Sequence, residues 1–169
     1  MNKNKTKTQK YPLRYLPKKL SRRDRTRQKR ELLKSRKSYQ KGIYYTRRKL
    51  PSFQSKKSPH IQNAQDLYNV SVIDATDELA KASGCSKASL AKVISKGEGA
   101  YFSSGSRPNQ TAQSWGKARL ASTLTAGKAA VVDYSILKSG CKPGSLGLKM
   151  ANKAIRIYGK TLRRAPKVN

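Results

Sequence analysis

Apolar residues recur at helical spacing along this chain, in short segments that glycine and proline interrupt. Good helix formers follow Ser21 as far as residue 41, with only a thin apolar edge at Leu32, Leu33 and Tyr39. Ser21 is a suitable N-cap, so the pattern predicts a helix over residues 21–41. Its apolar stripe is too narrow for the helix to be stable alone, and we expect it to form against another surface.

Three further short helices are predicted in the middle of the chain. The first lies within residues 60–73, with Ile61, Ala64, Leu67 and Tyr68 on one face, and is followed there by a short apolar stretch that resembles a strand. The second begins after the N-cap Thr76 and stops at Gly84. The third begins after Ser86 and stops at Gly97, because serine and threonine favour helix starts and glycine favours helix ends.

The stretch from Lys96 to Ser122 differs in composition from the rest of the chain. It contains the only Trp, one of two Phe and four of eleven Gly. We interpret it as a glycine-rich loop over 97–105 that leads into a helix from about Thr111 to Thr125. Trp115 lies in an apolar row at helical spacing, which predicts that this helix contributes to the core. Two more helices are predicted, at about 128–138 and 149–162.

These elements predict a mainly α fold. It consists of a small helical domain of about four to five short helices with a glycine-rich loop, flanked by extended basic arms. We place a basic N-terminal arm with a helical segment at residues 1–41 and the helical domain at 42–141, with its core at about 61–141. A basic C-terminal arm or helix follows at 142–169. A chain of 169 residues has room for one or two small domains.

The charge of the chain is strongly positive and unevenly distributed. There are 39 Lys and Arg against 8 Asp and Glu, a formal net charge of +31. Residues 1–60 carry 22 basic and 2 acidic side chains, residues 61–141 carry 9 and 6, and residues 142–169 carry 8 and none. Eight carboxylates cannot neutralise the two flanks, so we expect the arms to be disordered or extended until they meet an anionic partner.

Aromatic residues lie among the basic ones before residue 60, and this pattern fits two kinds of partner. Lys and Arg can contact phosphates while Tyr stacks on bases, but an arm that packs on an acidic protein surface has the same composition. Both alternatives therefore stay open. The candidate partner-contacting residues are Tyr11, Tyr15, Arg22, Arg23, Arg25, Arg27, Tyr44, Tyr45, Arg47, Arg48, Arg163 and Arg164.

The sequence contains no familiar catalytic or metal-binding pattern. The lone His60 has no partner for a catalytic triad, and two Cys with one His are too few for a four-ligand zinc site. The motif that starts at Gly97 lacks the third glycine of a dinucleotide fingerprint, and the Gly-Lys pair at Lys128 lacks the rest of a phosphate-binding loop. We therefore predict that the protein is not an enzyme and uses no cofactor.

One further candidate site is an anion-binding loop. Successive backbone N–H groups in a turn rich in Ser and Gly can form a nest for a phosphate or carboxylate, with nearby cations assisting. The alternative is a structural loop whose hydroxyls bond its own backbone, and this composition favours it. The candidate anion-binding residues are Ser104, Ser106, Arg107, Lys117 and Lys128.

Cys85 and Cys141 each follow a glycine and bracket the nearly neutral part of the chain. Two inert buried thiols are predicted for a reducing compartment, and a disulfide requires that the two Cα atoms come close. No apolar run is long enough to span a bilayer, and the basic N-terminus lacks the apolar region of a secretory signal. Synthesis inside a cell, without secretion, is therefore expected.

Two blocks of the sequence resemble a known family. The first runs from Tyr39 to His60 and contains KGIYYTRRKLPSFQSKKSPH; the second, from Gly97 to Ser122, contains GAYFSSGSRPNQTAQSWGKARLAS. They resemble a domain of unknown function that recurs in large double-stranded DNA viruses. With the segment up to Cys141 they cover roughly residues 38–141, and the second block is specific. The resemblance implies a viral protein packaged in the particle, and it implies no particular activity.

These observations lead to two functional predictions. The first is a non-enzymatic basic structural protein of the virion, a minor capsid or virion-associated component of a large DNA virus. Its arms would bridge acidic surfaces of other capsid proteins or an anionic inner-membrane surface within a large assembly. The alternative is a protein that binds nucleic acid without sequence preference and organises the genome. Both partners are polyanionic, so electrostatics alone does not separate them.

Overall fold

The computed structural model describes residues 10–159 and the backbone of residues 167 and 168. Its elements confirm the mainly helical fold. In chain order they are β1 (Tyr11–Pro12), α1 (Arg22–Gln40), α2 (Pro59–Tyr68), α3 (Asp77–Ser83), α4 (Lys87–Ser103), α5 (Ala112–Leu124), α6 (Lys128–Val132), α7 (Tyr134–Gly140), α8 (Leu146–Tyr158) and β2 (Lys167–Val168). The two short strands pair antiparallel, with Tyr11 opposite Val168.

Four helices begin where the sequence predicts, because a hydroxyl caps each of them. The side chains of Ser21, Thr76, Ser86 and Thr111 each accept a hydrogen bond from the backbone N–H three residues later. At α5 the cap is reciprocal, since Ser114 also accepts a bond from the Thr111 backbone. These bonds satisfy N–H groups that have no partner inside the helix.

Residues 59–159, from α2 to α8, form a unit that we call the helical core. α5 lies at its centre and contacts α2, α4, α6 and α8. The Tyr68 hydroxyl donates to the Leu124 carbonyl at 2.7 Å, which joins α2 to α5. The stretch after α2 forms no strand, and Val70 and Ile73 reach the core from an irregular segment. Buried members of the core include Ala64, Leu79, Leu90, Val93, Leu120, Leu124, Leu137 and Ala151.

The predicted glycine-rich loop is wrong. Gly97 and Gly99 lie inside α4, which continues to Ser103. The reason is a close crossing with α5, where a Cβ atom on Gly97 would come within 2.7 Å of the Cα atom of Gly116. Glycine at both positions lets the two backbones approach, so Gly97 serves helix packing and does not end the helix.

The single helix predicted at about 128–138 is two helices that meet at Asp133. This residue has φ −98° and ψ 9°, outside the helical range, and its side chain is fully buried. The carboxylate accepts two hydrogen bonds of 2.8 Å from the Arg119 guanidinium and one of 3.1 Å from the Thr123 hydroxyl. Lys96 Nζ lies 3.0 Å from the same carboxylate. The break in the helix therefore coincides with an inward-facing ionic cluster.

Residues 10–58, here called the N-terminal layer, fold onto the helical core instead of forming an extended arm. Tyr11, Tyr15 and Leu16 are buried with Leu32 of α1 in a second apolar cluster, against Trp115 of α5. The rings of Tyr15 and Trp115 meet edge to face with centroids 6.2 Å apart. Tyr11 and Tyr15 are therefore internal residues, which corrects their prediction as partner contacts. Trp115 is half-buried in this second cluster and lies outside the main one.

The C-terminal arm also begins inside the fold. The predicted helix at about 149–162 spans Leu146–Tyr158, and its Ala151 and Ala154 are fully buried. Residues 160–166 of the predicted arm lie outside the described residues. No helix in the described part of the chain is both long and apolar enough to cross a bilayer.

Cys85 and Cys141 form a disulfide, so the prediction of two free thiols is wrong. The backbone around them pairs as a short antiparallel bridge, with Ser86 N donating to Gly140 O at 2.8 Å. The bond joins residues 56 positions apart and ties the α3–α4 turn to the end of α7. Sequence spacing could not reveal it, because the two cysteines meet only after the helices between them have packed.

Candidate nucleic-acid interface

The exposed face of α1 carries a row of unneutralised cations. The helix contains nine basic and two acidic residues. Arg23, Arg30, Lys34 and Lys37 are all exposed, and their spacing places them on one side of the helix. The opposite side is buried and includes Asp24, Gln28, Leu32 and Ser35. We call these four cations the basic stripe, and along the helix axis it extends about 21 Å.

The two carboxylates of α1 bond to the layer itself and leave the basic stripe unpaired. Asp24 accepts hydrogen bonds from the Ser52 backbone at 2.9 Å and from its hydroxyl at 2.7 Å. The bonds from the Ser52 hydroxyl and backbone, together with nearby arginines, hold the pKa of Asp24 below its ordinary value. Glu31 accepts from the Tyr45 hydroxyl at 2.8 Å and from the Arg48 backbone at 3.1 Å.

The ion pairs of the described residues lie in the helical core. They join Lys87 to Asp77, Lys117 to Asp74, and both Lys96 and Arg119 to Asp133. Burial alone would raise the pKa of Asp133, but the hydrogen bonds and charges of Arg119 and Lys96 outweigh burial and lower it. Four cations of the core are thus paired with its own carboxylates. Within the described range, the four stripe residues form no ion pair.

Arg47 was predicted to contact a partner, and this prediction is wrong. Its side chain is buried and its guanidinium donates to the Ser35 hydroxyl at 2.9 Å, the Tyr101 carbonyl at 2.7 Å and the Ser106 hydroxyl at 2.7 Å. It also lies 3.8 Å from the centroid of the Tyr101 ring. Burial lowers the pKa of the Arg47 guanidinium. This cation joins the N-terminal layer to α4 and its following loop, and it is not available to a partner.

The candidate anion-binding residues do not form one site. Ser106 is fully buried, where it accepts from Arg47 and donates to the Arg107 carbonyl. Ser104 and Arg107 are exposed beside it. Lys117 instead pairs with Asp74 at 3.0 Å, and Lys128 lies over the ring of Tyr158 at 5.7 Å. The Ser106 hydroxyl therefore bonds to the Arg47 guanidinium of the chain itself and is not free to bind an external anion.

The other candidate partner contacts divide by exposure. Arg22, Arg23, Tyr44 and Arg48 are exposed, whereas Arg25, Arg27 and Tyr45 are half-buried. Arg25 donates to the Leu16 carbonyl at 3.0 Å. Arg163 and Arg164 lie outside the described residues. The surface that remains open to a partner is therefore centred on α1 and the segment that follows it.

A comparison with protein-family models identifies the family of this chain. The model of a family of unknown function, DUF5824, matches residues 12–138, well over half of the sequence. The chain belongs to this family. The match runs from β1 to α7, so the part common to DUF5824 includes the N-terminal layer as well as most of the helical core.

Two other comparisons found no relatives for this DUF5824 protein. No curated protein matches the chain, and no solved structure does. The family description names no activity.

Proposed function

We propose that this DUF5824 protein binds nucleic acid without sequence preference, through the basic stripe of α1, and that it is not an enzyme. The observation that supports the proposal is the row formed by Arg23, Arg30, Lys34 and Lys37, which is exposed and without a carboxylate partner among the described residues. A duplex presents on the order of twelve phosphates over about 21 Å. Binding releases counterions from those phosphates, which supplies affinity without reading bases.

A row of cations on a rigid helix suits this task better than a disordered arm. α1 is held against the core by the Leu32 cluster, which packs on Trp115, and by the Ser35 hydroxyl, which donates to the Phe102 carbonyl at 3.3 Å. Its cations therefore keep a fixed spacing, and ordering them on binding costs less conformational entropy than ordering a free chain.

The proposal is tested by titrating labelled duplex DNA with the full chain at several salt concentrations. Replacing all four stripe residues by Gln should lower the affinity and reduce the steepness of its salt dependence by about three to four in log–log slope, roughly one for each lost phosphate contact. The matched control replaces Lys81, Lys92, Lys138 and Lys153 of the core by Gln, which changes the net charge equally.

Two outcomes would overturn the proposal. One is an equal loss of affinity in the stripe and control variants, because the effect would then come from net charge alone. The other is that an acidic polypeptide such as poly-glutamate binds the stripe as tightly as DNA at matched salt, because the partner would then be an acidic protein.

The second outcome corresponds to the role of a virion structural protein, which stays a prediction. The basic stripe has the charge that an acidic capsid surface or an anionic membrane face would require. Locating the chain at a fixed position in a purified virus particle would support that role, and its absence from particles would exclude it.

A further inference from the structure

A shallow groove lies next to the C-terminal end of α1, and no residue in the described part of the chain fills it. Its volume is about 420 Å³. Three aromatic residues line it: Tyr39 from α1, Tyr44 from the segment after α1, and Phe102 from α4. The rest of the lining is small or polar, and includes Ser95, Glu98 and Gln113.

The aromatic wall is preorganised and partly open. The rings of Tyr39 and Phe102 are nearly parallel, with an interplanar angle of 9° and centroids 6.1 Å apart. Tyr44 is tilted against Phe102, with centroids 5.2 Å apart, and 71 % of its surface is exposed. A ring that only filled the core would be buried, whereas this exposed ring leaves a face on which a flat ligand can stack.

The polar wall supplies unused hydrogen-bonding groups. Among the described residues, neither the Glu98 carboxylate nor the Gln113 amide has a hydrogen-bond or ion-pair partner. A carboxylate accepts from amino groups, and an amide both accepts and donates, which suits the edge of a nucleobase. Gly99 lies between these walls, and a Cβ there would lie 3.6 Å from the Tyr39 hydroxyl.

The charge around the groove distinguishes between two possible ligands, a cationic side chain and a nucleobase flanked by phosphates. A cationic side chain could also lie on aromatic rings beside a carboxylate. However, Lys34 of the basic stripe lies 4.2 Å from the ring centroid of Tyr45, the neighbour of Tyr44. The exposed Lys41 lies in the chain between Tyr39 and Tyr44. These cations repel a cationic ligand and attract the phosphates on either side of a base.

We infer that the groove formed by Tyr39, Tyr44, Phe102, Glu98 and Gln113 binds an unpaired nucleobase of a single-stranded nucleic acid. The base stacks on Tyr44, its edge meets Glu98 or Gln113, and its flanking phosphates contact Lys41 and Lys34 of the basic stripe. This inference rests on the proposed function and adds to it a preference for single strands, because a paired base inside a duplex cannot enter the groove.

The test compares the full chain with its Tyr44→Ala and Tyr44→Phe variants on two single-stranded probes of equal length. One probe carries bases and the other is abasic, so the two differ in bases and share their phosphates. Tyr44→Ala should weaken binding to the base-carrying probe by roughly ten-fold and leave the abasic probe unchanged. Tyr44→Phe keeps the ring and should bind as the wild type does. Because the Tyr44 side chain is mostly exposed, the alanine variant should remain folded.

Each other result has a distinct meaning. If the wild type binds both probes equally and Tyr44→Ala changes neither, the groove inference fails while the proposed function stands. If Tyr44→Ala weakens both probes equally, the ring acts on the fold or the backbone contacts, and the inference also fails. If the wild type binds neither probe nor duplex DNA, the proposed function itself fails. Tight binding of a lysine-rich peptide that Glu98→Gln abolishes would assign the groove to a cationic partner instead.

Discussion

The N-terminal layer and the helical core differ in how their charged side chains are paired. Residues 61–141, the larger part of the helical core, carry nine basic and six acidic side chains, and three of these carboxylates, Asp74, Asp77 and Asp133, form ion pairs. Residues 1–60 carry 22 basic and two acidic side chains, and both acids bond to neutral donors of the layer. The core therefore pairs part of its charge internally, whereas the stripe cations of the layer have no ion-pair partner among the described residues.

The two regions are also held by different interactions. The core has a continuous apolar cluster and a disulfide. The layer has a small aromatic cluster around Trp115 and several buried polar contacts. Besides Arg47, the Asn109 side chain accepts from Leu50 N at 2.7 Å and donates to the carbonyls of Leu50 and Phe53. Because polar contacts help to attach the layer, it needs little apolar surface. More of its residues can therefore be charged.

The largest expected effect comes from breaking the disulfide of the core. Replacing Cys85 and Cys141 by Ser should lower the free energy of unfolding by about 4 kcal/mol, since the bond restricts a long loop in the unfolded chain. Denaturant unfolding followed by circular dichroism measures this. A reducing agent should destabilise the wild type similarly and leave the double variant unchanged. Equal stability of wild type and variant under oxidising conditions would contradict the prediction.

The next effect should fall on the layer alone. Arg47→Met removes the donor for two buried hydroxyls and one carbonyl, and we expect a loss on the order of 3 kcal/mol in the docking of the layer. Trp115 reports on docking because it is the only Trp and contacts Tyr15. Its emission should shift to the red at lower denaturant than the loss of helix in the core.

Arg48→Met is the matched control, since Arg48 is the exposed neighbour of Arg47. It should leave both transitions unchanged. If Arg47→Met unfolds the layer and the core together at one denaturant concentration, the two regions form a single cooperative unit and are not held independently.

A smaller effect distinguishes two glycines of α4. Gly97→Ala should destabilise the core by about 1–3 kcal/mol, because the added methyl meets the backbone of Gly116 on α5. Gly99→Ala should be neutral or stabilising by up to about 1 kcal/mol, because alanine is the better helix former and its methyl has room. Thermal unfolding of the two variants measures the difference. Equal effects would mean that the helices do not cross at Gly97.

Sequence reasoning succeeded where local chemistry decides the structure. The starts of α1, α3, α4 and α5 follow from hydroxyl caps, which act within one turn. It failed at Gly97 because glycine both ends helices and permits close packing, and only the partner helix distinguishes these uses. It failed for the layer because the charge of Arg47 was taken as exposed. The acceptors that allow this guanidinium to be buried lie up to 59 positions away in the sequence.

The candidate site was predictable in part for the same reason. Helical spacing places the basic stripe on one side of α1, and the mixture of Tyr with basic residues already indicated Tyr44 as a contact residue. Phe102, Glu98 and Gln113 were missed, because the first two were assigned to a loop and the groove joins three separate elements. Sites of this kind depend on tertiary packing, and no local signal marks them.

The smallest expected effect concerns pH and the stability of the layer. The pKa of Asp24 is lower in the folded chain than its ordinary value of 3.8, so the unfolded chain binds more protons in this range. Its contribution to the stability of the layer is therefore present above about pH 4 and is lost as the pH falls through the folded pKa. Asp24→Asn keeps an acceptor for Ser52 and should flatten this acid dependence of the Trp115 transition, with little change at pH 7. Glu78→Gln, an exposed carboxylate of α3, should leave the acid dependence of the transition intact. If Asp24→Asn leaves the dependence unchanged as well, other carboxylates hold the layer in acid.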